Sequence, residues 1–397
     1  MTRPQAMHYF KDQPVGQFAY VTTNSIAQGQ PVPALFGPLG REGWSIPFAH
    51  RTFAWTSEAP SAAAVHCVII GFTKGRKHAG ARLFSYDKAQ GDPIEEPVAQ
   101  IAPYLVEGPW VTVAKRSKPP ADLPPVVYGS KPADGGNLIV EADDHSKVAA
   151  DPVAAKYLRR YLGARELVRG TDRWCLWLEG ADPADIAKSP ILKERVEACR
   201  DFRLAQAKSG DAYKLAATPH LFRPNKKRPP AEFLCIPIHV SETRRYFTAE
   251  RFGSDVISSN ANFVVPDEDG LAFAVICSSA FMAWQRMVGG QIKSDLRFSN
   301  TLVWNTLPLP ALSDDERGRL IEAGKKILEA RALHPDRSLA EHYTPLVMDP
   351  ALVKAHEDLD RVMDRILGMP KARNEKDRQT LLMKLYVSYS RILRQPT

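Results

Sequence analysis

Several sequence patterns that identify common enzyme classes are missing from this chain of 397 residues. It has no GxGxxG dinucleotide loop, no P-loop, no HExxH zinc motif and no Gly-x-Ser-x-Gly turn around a nucleophilic serine. No apolar run reaches the ~18 residues that a membrane-spanning helix needs, and the N-terminus lacks the apolar segment of a secretory signal. We therefore expect a cytoplasmic protein that does not contact a membrane.

Cysteine is scarce, and its spacing argues against zinc sites and disulfides. The cysteines are odd in number and form no CxxC pair; they are Cys67, Cys175, Cys199, Cys235 and Cys277. Four of them have apolar neighbours, which predicts buried, reduced thiols. A Mg²⁺-dependent nuclease would need paired carboxylates with a nearby lysine. Residues 266–269 supply carboxylates without that lysine, and we interpret them as a solvated turn.

Basic residues outnumber acidic ones, which gives a formal net charge of +8 and a pI near 9.1. This charge permits binding to a polyanion, because each phosphate neutralised by Lys or Arg releases counterions. A basic surface without any such partner is the alternative. The length and the content of 44% hydrophobic and 25% charged residues predict a globular protein of two or three domains.

Three apolar stretches near the start of the chain predict β-strands, at residues 18–21, 45–55 and 65–72. Residues 32–39, between the first two strands, are predicted as a short helix or a loop. The proline-rich segment that follows opposes regular helices and interior strands, although residues 109–118 alternate enough for one strand. We expect this segment to be a packed connector, because Tyr104, Leu105, Trp110 and Tyr128 need burial.

The rest of the chain predicts alternating helices and strands, so the fold class is mixed α/β. Helices are predicted at residues 153–162, 190–207 and 271–288. Strands are predicted at residues 173–178, 233–238 and 262–266. Beyond Leu312, three amphipathic helices are predicted, the first with Ser313 as its N-cap.

Short strings in a consistent order resemble a known family. They are Ala102-Pro103-Tyr104-Leu105, Ser117-Lys118-Pro119, Asp134-Gly135-Gly136-Asn137, Arg173-Trp174-Cys175-Leu176-Trp177-Leu178 and Trp304-Asn305-Thr306-Leu307-Pro308. Together with the three early strands, they make the chain similar to the MmeI-like restriction-modification enzymes of type IIG or IIL. These enzymes are adenine-N6 DNA methyltransferases.

The resemblance implies four segments and a DNA partner. Residues 1–73 would form the C-terminal part of the methyltransferase catalytic domain, as a partial Rossmann-like sheet, and residues 74–150 a packed connector. Residues 151–311 would be the target recognition domain, and residues 312–397 a helical C-terminal domain. Double-stranded DNA is the expected ligand.

Proteins that read DNA sequence present paired donors or acceptors to base edges in the major groove. If residues 291–297 are extended, Lys293 and Asp295 point the same way. The resemblance implies that these two positions read an outer base pair of the target, with Glu and Arg in other members. Since a Lys donor suits guanine and an Asp acceptor suits cytosine, we predict that Lys293 and Asp295 read a G·C pair. A surface ion pair is the alternative.

Arg244, Arg245 and Arg297 are candidate contacts to DNA phosphates, which fix register without carrying sequence information. The basic residues 226–228 are further candidates, with a solvated basic turn as the alternative. Enzymes that modify a base swing it out of the duplex and stack it on an aromatic side chain. In related methyltransferases such an aromatic precedes the final strand, so Trp55 is the candidate here. A core tryptophan is the alternative.

The family's cofactor loop and its Asn-Pro-Pro-aromatic motif have no match in these 397 residues. We therefore predict no catalytic, cofactor-binding or metal-binding residue in this chain, and expect S-adenosylmethionine to bind only in the complete enzyme. The expected partner is an N-terminal methyltransferase or nuclease half. A stand-alone DNA-binding protein and an inactive truncated product are the alternatives. Because a severed sheet exposes an edge, the isolated chain is expected to aggregate or to pair through residues 1–73.

Overall fold

The computed structural model describes residues 5–55, 65–76, 78–88, 91–120, 123–224, 231–292 and 294–392. The helices are α1 (Gln5–Tyr9), α2 (Pro31–Arg41), α3 (Ala142–Ala149), α4 (Ala164–Arg169), α5 (Pro183–Lys188), α6 (Pro190–Leu204), α7 (Asp211–Lys214), α8 (Leu271–Ile276), α9 (Ser279–Val288), α10 (Asp314–Ala332), α11 (Leu339–His342), α12 (Pro350–Ile366) and α13 (Glu375–Ile392). The strands are β1 (Gly16–Thr23), β2 (Trp44–Ser45), β3 (Phe48–Trp55), β4 (Val65–Lys74), β5 (Ala81–Ser85), β6 (Ile94–Val98), β7 (Val127–Tyr128), β8 (Ile139–Val140), β9 (Leu158–Leu162), β10 (Trp174–Leu176), β11 (Phe233–Pro237), β12 (His239–Val240), β13 (Glu250–Phe252), β14 (Val256–Ser258), β15 (Asn262–Pro266), β16 (Gly290–Ile292) and β17 (Asp295–Arg297).

The chain forms two compact units. Unit 1 comprises Met1–Asp122, Ser279–Ser313 and Asp360–Thr397, and unit 2 comprises Leu123–Ser278 and Asp314–Leu359. Within the described residues, no helix combines the length and the apolar content that crossing a membrane requires. The mixed α/β class is confirmed, and all five cysteines are buried and free, as their apolar neighbours predicted.

Unit 1 is built on a six-stranded sheet with the order β1-β4-β3-β5-β6, in which β2 also pairs with β4. Strand β4 runs antiparallel to both β1 and β3, and β3 runs parallel to β5. Strands β1, β3 and β5 therefore point in one direction. The three strands predicted near the start of the chain are confirmed as β1, β3 and β4. The segment between β1 and β3, which was predicted as a short helix or a loop, contains helix α2.

The proline-rich segment differs from its prediction in two ways. It supplies β5 and β6, which the sequence analysis missed; Pro97 is accommodated because β6 is the last strand in the sheet order. The predicted strand at residues 109–118 is wrong, because its backbone donors find partners outside any sheet. Val113 N donates to the Tyr104 hydroxyl at 2.8 Å, and Arg116 N donates to the Thr301 carbonyl at 2.9 Å.

Unit 2 contains two four-stranded sheets, with the orders β14-β9-β10-β8 and β13-β11-β15-β7. Apolar residues of the first sheet pack with α6 in one buried cluster that includes Leu176, Leu192 and Cys199. The predicted helix at residues 153–162 is wrong. A 3₁₀ turn precedes β9, which is held between a parallel partner and an antiparallel one, so pairing on both sides overrides the local helical pattern. The predicted burial is confirmed for Tyr104 and Leu105 of the proline-rich segment, whereas that of Tyr128 is wrong, since this residue is 51% exposed.

The single helix predicted for residues 271–288 is instead two helices, α8 and α9, each with a carboxylate at its start. Asp267 accepts hydrogen bonds from the backbone N–H groups of Ala272 and Phe273, at 2.9 and 3.3 Å. Asp360 accepts from Ser279 N and Ser279 Oγ, at 2.7 and 2.5 Å. The solvated turn predicted around Asp267 is therefore wrong. Burial raises the pKa of Asp267 to about 6, although the nearby Arg251 guanidinium opposes that shift.

A buried hydrogen-bond chain joins the C-terminal helices to the rest of unit 2. The Arg331 guanidinium donates to the Tyr343 hydroxyl through Nε and Nη2, at 3.1 and 2.6 Å. The same hydroxyl lies 2.8 Å from His356 Nε2, and His356 Nδ1 lies 3.1 Å from the Cys277 carbonyl. Burial lowers the pKa of His356, so the ring is neutral, accepts from Tyr343 and donates to Cys277.

Removing the Tyr343 hydroxyl, which lies at the centre of these hydrogen bonds, is expected to destabilise unit 2. Tyr343→Phe leaves the Arg331 guanidinium and the acceptor nitrogen of His356 short of a partner, which is expected to lower the free energy of unfolding by about 2–3 kcal/mol. Urea denaturation measures the change. The control is Tyr213→Phe, because the Tyr213 hydroxyl makes no hydrogen bond within the described part of unit 2. Equal stability of the two variants would contradict the assignment.

Candidate nucleic-acid interface

The segment predicted to read a base pair is a β-hairpin. Strands β16 and β17 pair antiparallel, with Gly290 opposite Arg297 and Ile292 opposite Asp295. The single extended segment assumed for residues 291–297 is therefore wrong, because the chain reverses between the strands. Asp295 and Arg297 are exposed while Leu296 between them is buried. Lys293 lies outside the described residues, so its pairing with Asp295 stays a prediction.

The base of this hairpin is fixed by contacts within unit 1. Gln285, a fully buried residue of α9, donates from Nε2 to the Arg297 carbonyl at 3.1 Å. Gln28, in the loop after β1, donates from Nε2 to Gln291 Oε1 at 3.0 Å. A Cβ atom on Gly29 would lie 3.3 Å from the Gly290 Cα, so the two backbones are in close contact. The hairpin is thereby held against the end of β1.

Two of the three arginines proposed for phosphate contact, Arg244 and Arg245, are adjacent in sequence but differ in exposure. Arg244 is partly buried and donates from Nη1 to the Ala340 carbonyl at 2.8 Å, and burial lowers the pKa of its guanidinium. It stabilises unit 2, and substituting it would cost folding energy. Arg245 is half exposed and pairs with Glu357 at 3.2 Å, with its guanidinium 5.1 Å from the Tyr246 ring centre. An exposed pair of this kind exchanges readily for a phosphate. The basic residues 226–228 lie outside the described residues.

Trp55 stands at the end of β3 with 52% of its surface exposed. Its ring centre lies 6.2 Å from that of Phe53. The alternative of a core tryptophan is therefore wrong, and an exposed ring remains available for stacking. The loop that follows Trp55 lies outside the described residues, so contact with a target base stays a prediction.

A cavity of about 320 Å³ opens where the parallel strands of unit 1 end. Its wall includes Gln28 after β1, Arg51 of β3, Ser85 at the end of β5, and Gln291 of the hairpin. In open α/β sheets, ligands bind outside the carboxyl ends of parallel strands. This cavity was missed by the sequence analysis, because its wall comes from segments far apart in the chain.

Arg51 is the least compensated cation of this cavity. Its Nε donates to the Leu105 carbonyl at 2.8 Å, while its buried Nη2 has no hydrogen-bond partner among the described residues. Burial lowers the pKa of Arg51, and the more distant carboxylates of Glu96 and Glu375 act in the opposite direction. The guanidinium is thus held in place by one backbone bond, with part of its donor capacity unused.

Unit 2 carries a second, more open cavity of about 750 Å³ beside β9. Arg159 and Arg160 line it together with Asp255, and the rings of His145 and Trp174 contact each other there at a tilt of 36°, with centres 4.0 Å apart. Arg159 donates from Nη1 to the carbonyls of Lys156 and Leu158, both at 2.9 Å. The sequence analysis did not single out this basic, aromatic surface. The consecutive residues Arg159 and Arg160 were the sequence signal that could have indicated this surface.

Comparisons with known proteins identify the family. The MmeI DNA-methyltransferase domain matches residues 4–85, the MmeI target recognition domain residues 107–311, and the MmeI C-terminal domain residues 312–394. DNA methyltransferase A of Bacillus subtilis (strain 168) is 33% identical over 369 residues, which cover 93% of this chain and 41% of that protein.

A solved structure of the type IIL restriction-modification enzyme MmeI in complex with DNA matches with a TM-score of 0.86 and 36% identity. The match covers 98% of this chain and 51% of that one, so the chain spans about half or less of the length of these relatives. The target recognition match covers 205 of the 397 residues, counted from 107 to 311 inclusive. The chain therefore belongs to the MmeI family of type IIL restriction-modification enzymes.

Proposed function

We propose that this chain is the DNA-sequence recognition portion of a site-specific adenine-N6 DNA methyltransferase that belongs to a restriction-modification enzyme. The observation that carries the proposal is the β16–β17 hairpin within residues matched by the MmeI target recognition domain. Its base is anchored by Gln285, and its exposed strand presents Asp295 and Arg297. Exposed polar side chains on such a strand can reach base edges in the major groove of duplex DNA.

Under this proposal, individual residues have two kinds of role. Lys293 and Asp295 read one base pair, and Arg245 and Arg297 each contact a phosphate. Arg244 holds its neighbour in place through the backbone bond to Ala340. Positively charged contacts of this type fix the register of a protein on DNA, while the base contacts select the sequence.

Methyl transfer itself requires groups that this proposal places on a complementary N-terminal half. That half supplies the S-adenosylmethionine pocket and the Asn-Pro-Pro-aromatic motif, which has no counterpart in these 397 residues. Strand β1 is terminal in the sheet order and carries an exposed apolar side chain at Val21, which suits pairing with a further strand. Trp55 then stacks on the adenine that is swung out of the duplex.

The missing motif also supports a second candidate function, a sequence-specific DNA-binding protein without a modification role. The two functions differ in their need for the methyl donor. When the complementary half of a family member is added, the first function predicts S-adenosylmethionine uptake and labelled methyl transfer to duplex DNA. The second predicts duplex binding with no transfer under any of these conditions.

Duplex binding at several salt concentrations tests the proposed function. The logarithm of the binding constant is expected to fall linearly with the logarithm of salt, because phosphate contacts release counterions. Arg245→Gln and Arg297→Gln are each expected to reduce the slope by about 1, whereas Arg319→Gln, which removes a cation paired with Asp315 on α10, leaves it unchanged. A slope that neither variant alters would count against these contacts.

A further inference from the structure

The cavity of unit 1 contains two neighbouring donors on adjacent parallel strands. Strands β3 and β5 are aligned with His50 opposite Phe84, so Arg51 and Ser85 occupy the next position along each strand. Both residues line the cavity. Paired positions of parallel strands direct their side chains to the same face of the sheet. The two side chains are therefore placed to act on one ligand.

Each of the two side chains has a polar atom without a partner among the described residues. Arg51 Nη2 and Ser85 Oγ are buried, and in the part of the chain that the structure describes they make no hydrogen bond. Buried polar atoms are almost always paired, since an unpaired one costs about 1–3 kcal/mol. Two such atoms on one wall indicate a ligand that accepts hydrogen bonds from both.

The charges around the cavity indicate the sign of that ligand. The two carboxylates that act on Arg51 are each paired with another cation: Glu375 with Arg286, and Glu96 with Lys376. No carboxylate among the described residues pairs directly with Arg51. One positive charge thus remains to be compensated, and an arginine beside a hydroxyl donor matches the acceptor oxygens of a phosphate.

We infer that this cavity binds a phosphate group through Arg51 Nη2 and Ser85 Oγ. The volume of about 320 Å³ holds a phosphate together with the sugar to which it is attached. The phosphate comes either from a DNA strand or from a free nucleotide. Only the DNA source rests on the proposed function, because the site itself is defined by the residues of the cavity.

Binding of AMP and of inorganic phosphate by the full chain tests the site by calorimetric titration at fixed ionic strength. Arg51→Gln is expected to weaken binding at least ~10-fold, because it removes a charge-assisted hydrogen bond. Ser85→Ala is expected to weaken it about threefold to fivefold. Arg82→Gln is the matched control, since it removes an exposed arginine of the same sheet that is paired with Glu95.

Duplex binding of the same variants distinguishes the two sources. If the phosphate belongs to DNA, Arg51→Gln reduces the salt slope by about 1 and Arg82→Gln does not. If it belongs to a free nucleotide, Arg51→Gln weakens AMP binding and leaves the salt slope of duplex binding unchanged. A wild-type chain that ignores duplex DNA but binds AMP would refute the proposed function and retain the site.

Ser85→Ala keeps the test decisive if Arg51→Gln, which also loses the bond to Leu105, fails to fold. The Ser85 hydroxyl makes no bond to the described residues, so its removal leaves the fold intact. Circular dichroism checks the folding of each variant. The inference is overturned if Ser85→Ala and every folded Arg51 variant bind AMP, inorganic phosphate and duplex DNA like the wild type. The cavity would then hold only water.

Discussion

Exchanging the charges of Lys293 and Asp295 is expected to change which base pair the protein prefers. The double substitution Lys293→Glu with Asp295→Arg replaces a donor by an acceptor at position 293 and an acceptor by a donor at position 295. A glutamate accepts from cytosine, and an arginine donates to guanine, so the preferred pair is expected to change from G·C to C·G. The original duplex should lose about 1–3 kcal/mol of binding free energy, because each mismatched base pair costs that amount.

Competition between duplexes that differ at a single base pair measures this change. The matched control is Arg82→Glu with Glu95→Arg, which exchanges an exposed ion pair on the sheet of unit 1 and preserves the net charge. The control should keep the wild-type preference. A hairpin variant with unchanged preference and unchanged affinity would show that Lys293 and Asp295 are only a surface ion pair.

Two adjacent glycines at the base of the hairpin are expected to respond very differently to alanine. A Cβ atom on Gly289 would lie 2.2 Å from Gln285 Nε2, whereas a Cβ atom on Gly290 would meet nothing within 4 Å. Gly289→Ala therefore displaces the amide that bonds to the Arg297 carbonyl. We expect a loss of about 1–3 kcal/mol in stability, which is typical of overpacking. Because the displaced amide anchors the hairpin, most of the discrimination between duplexes should be lost as well.

Gly290→Ala is the internal control, since it changes the neighbouring residue without a steric conflict. Urea denaturation gives the stability of both variants, and the duplex competition assay gives their discrimination. If Gly289→Ala discriminates between duplexes as well as Gly290→Ala does, the anchoring role of Gln285 is wrong, even where stability has fallen.

The strands of unit 1 that were predicted from the sequence carry strong local patterns. The apolar runs of β1 and β4 are bounded by polar or glycine-containing segments, and these boundaries are sufficient to locate the two strands. Strands β5 and β6 were missed because the proline content was interpreted as excluding strands. Pro97 is compatible with β6 because that strand has a neighbour on one side only.

Elements whose conformation depends on distant partners were predicted less well. Strand β9 resembles the continuation of a helix until β14, almost a hundred residues later, pairs with it. The hairpin was predicted as one extended segment because its two strands are short and no Asn-Gly or Asp-Gly pair marks the turn. Asp267 was interpreted as solvated, since nothing nearby in the sequence reveals that it accepts from the first turn of α8.

The residues of the candidate site show the same contrast between local sequence signals and pairings that only the fold creates. Asp295 and Trp55 were found from residue type and order along the chain, and both are exposed in the structure. Arg51 and Ser85 could not be found, because they are separated by more than thirty residues and only the parallel pairing of β3 with β5 brings them together. The sequence carries no local signal for such a pair.

Selection from a library of randomised duplexes tests the central claim, which is that this chain reads DNA sequence. The chain is used alone and together with the complementary N-terminal half of a family member. The account predicts enrichment of one short sequence, with a G·C pair at one position that the hairpin exchange converts to C·G. Uniform retention of all duplexes, with the complementary half present, would contradict it.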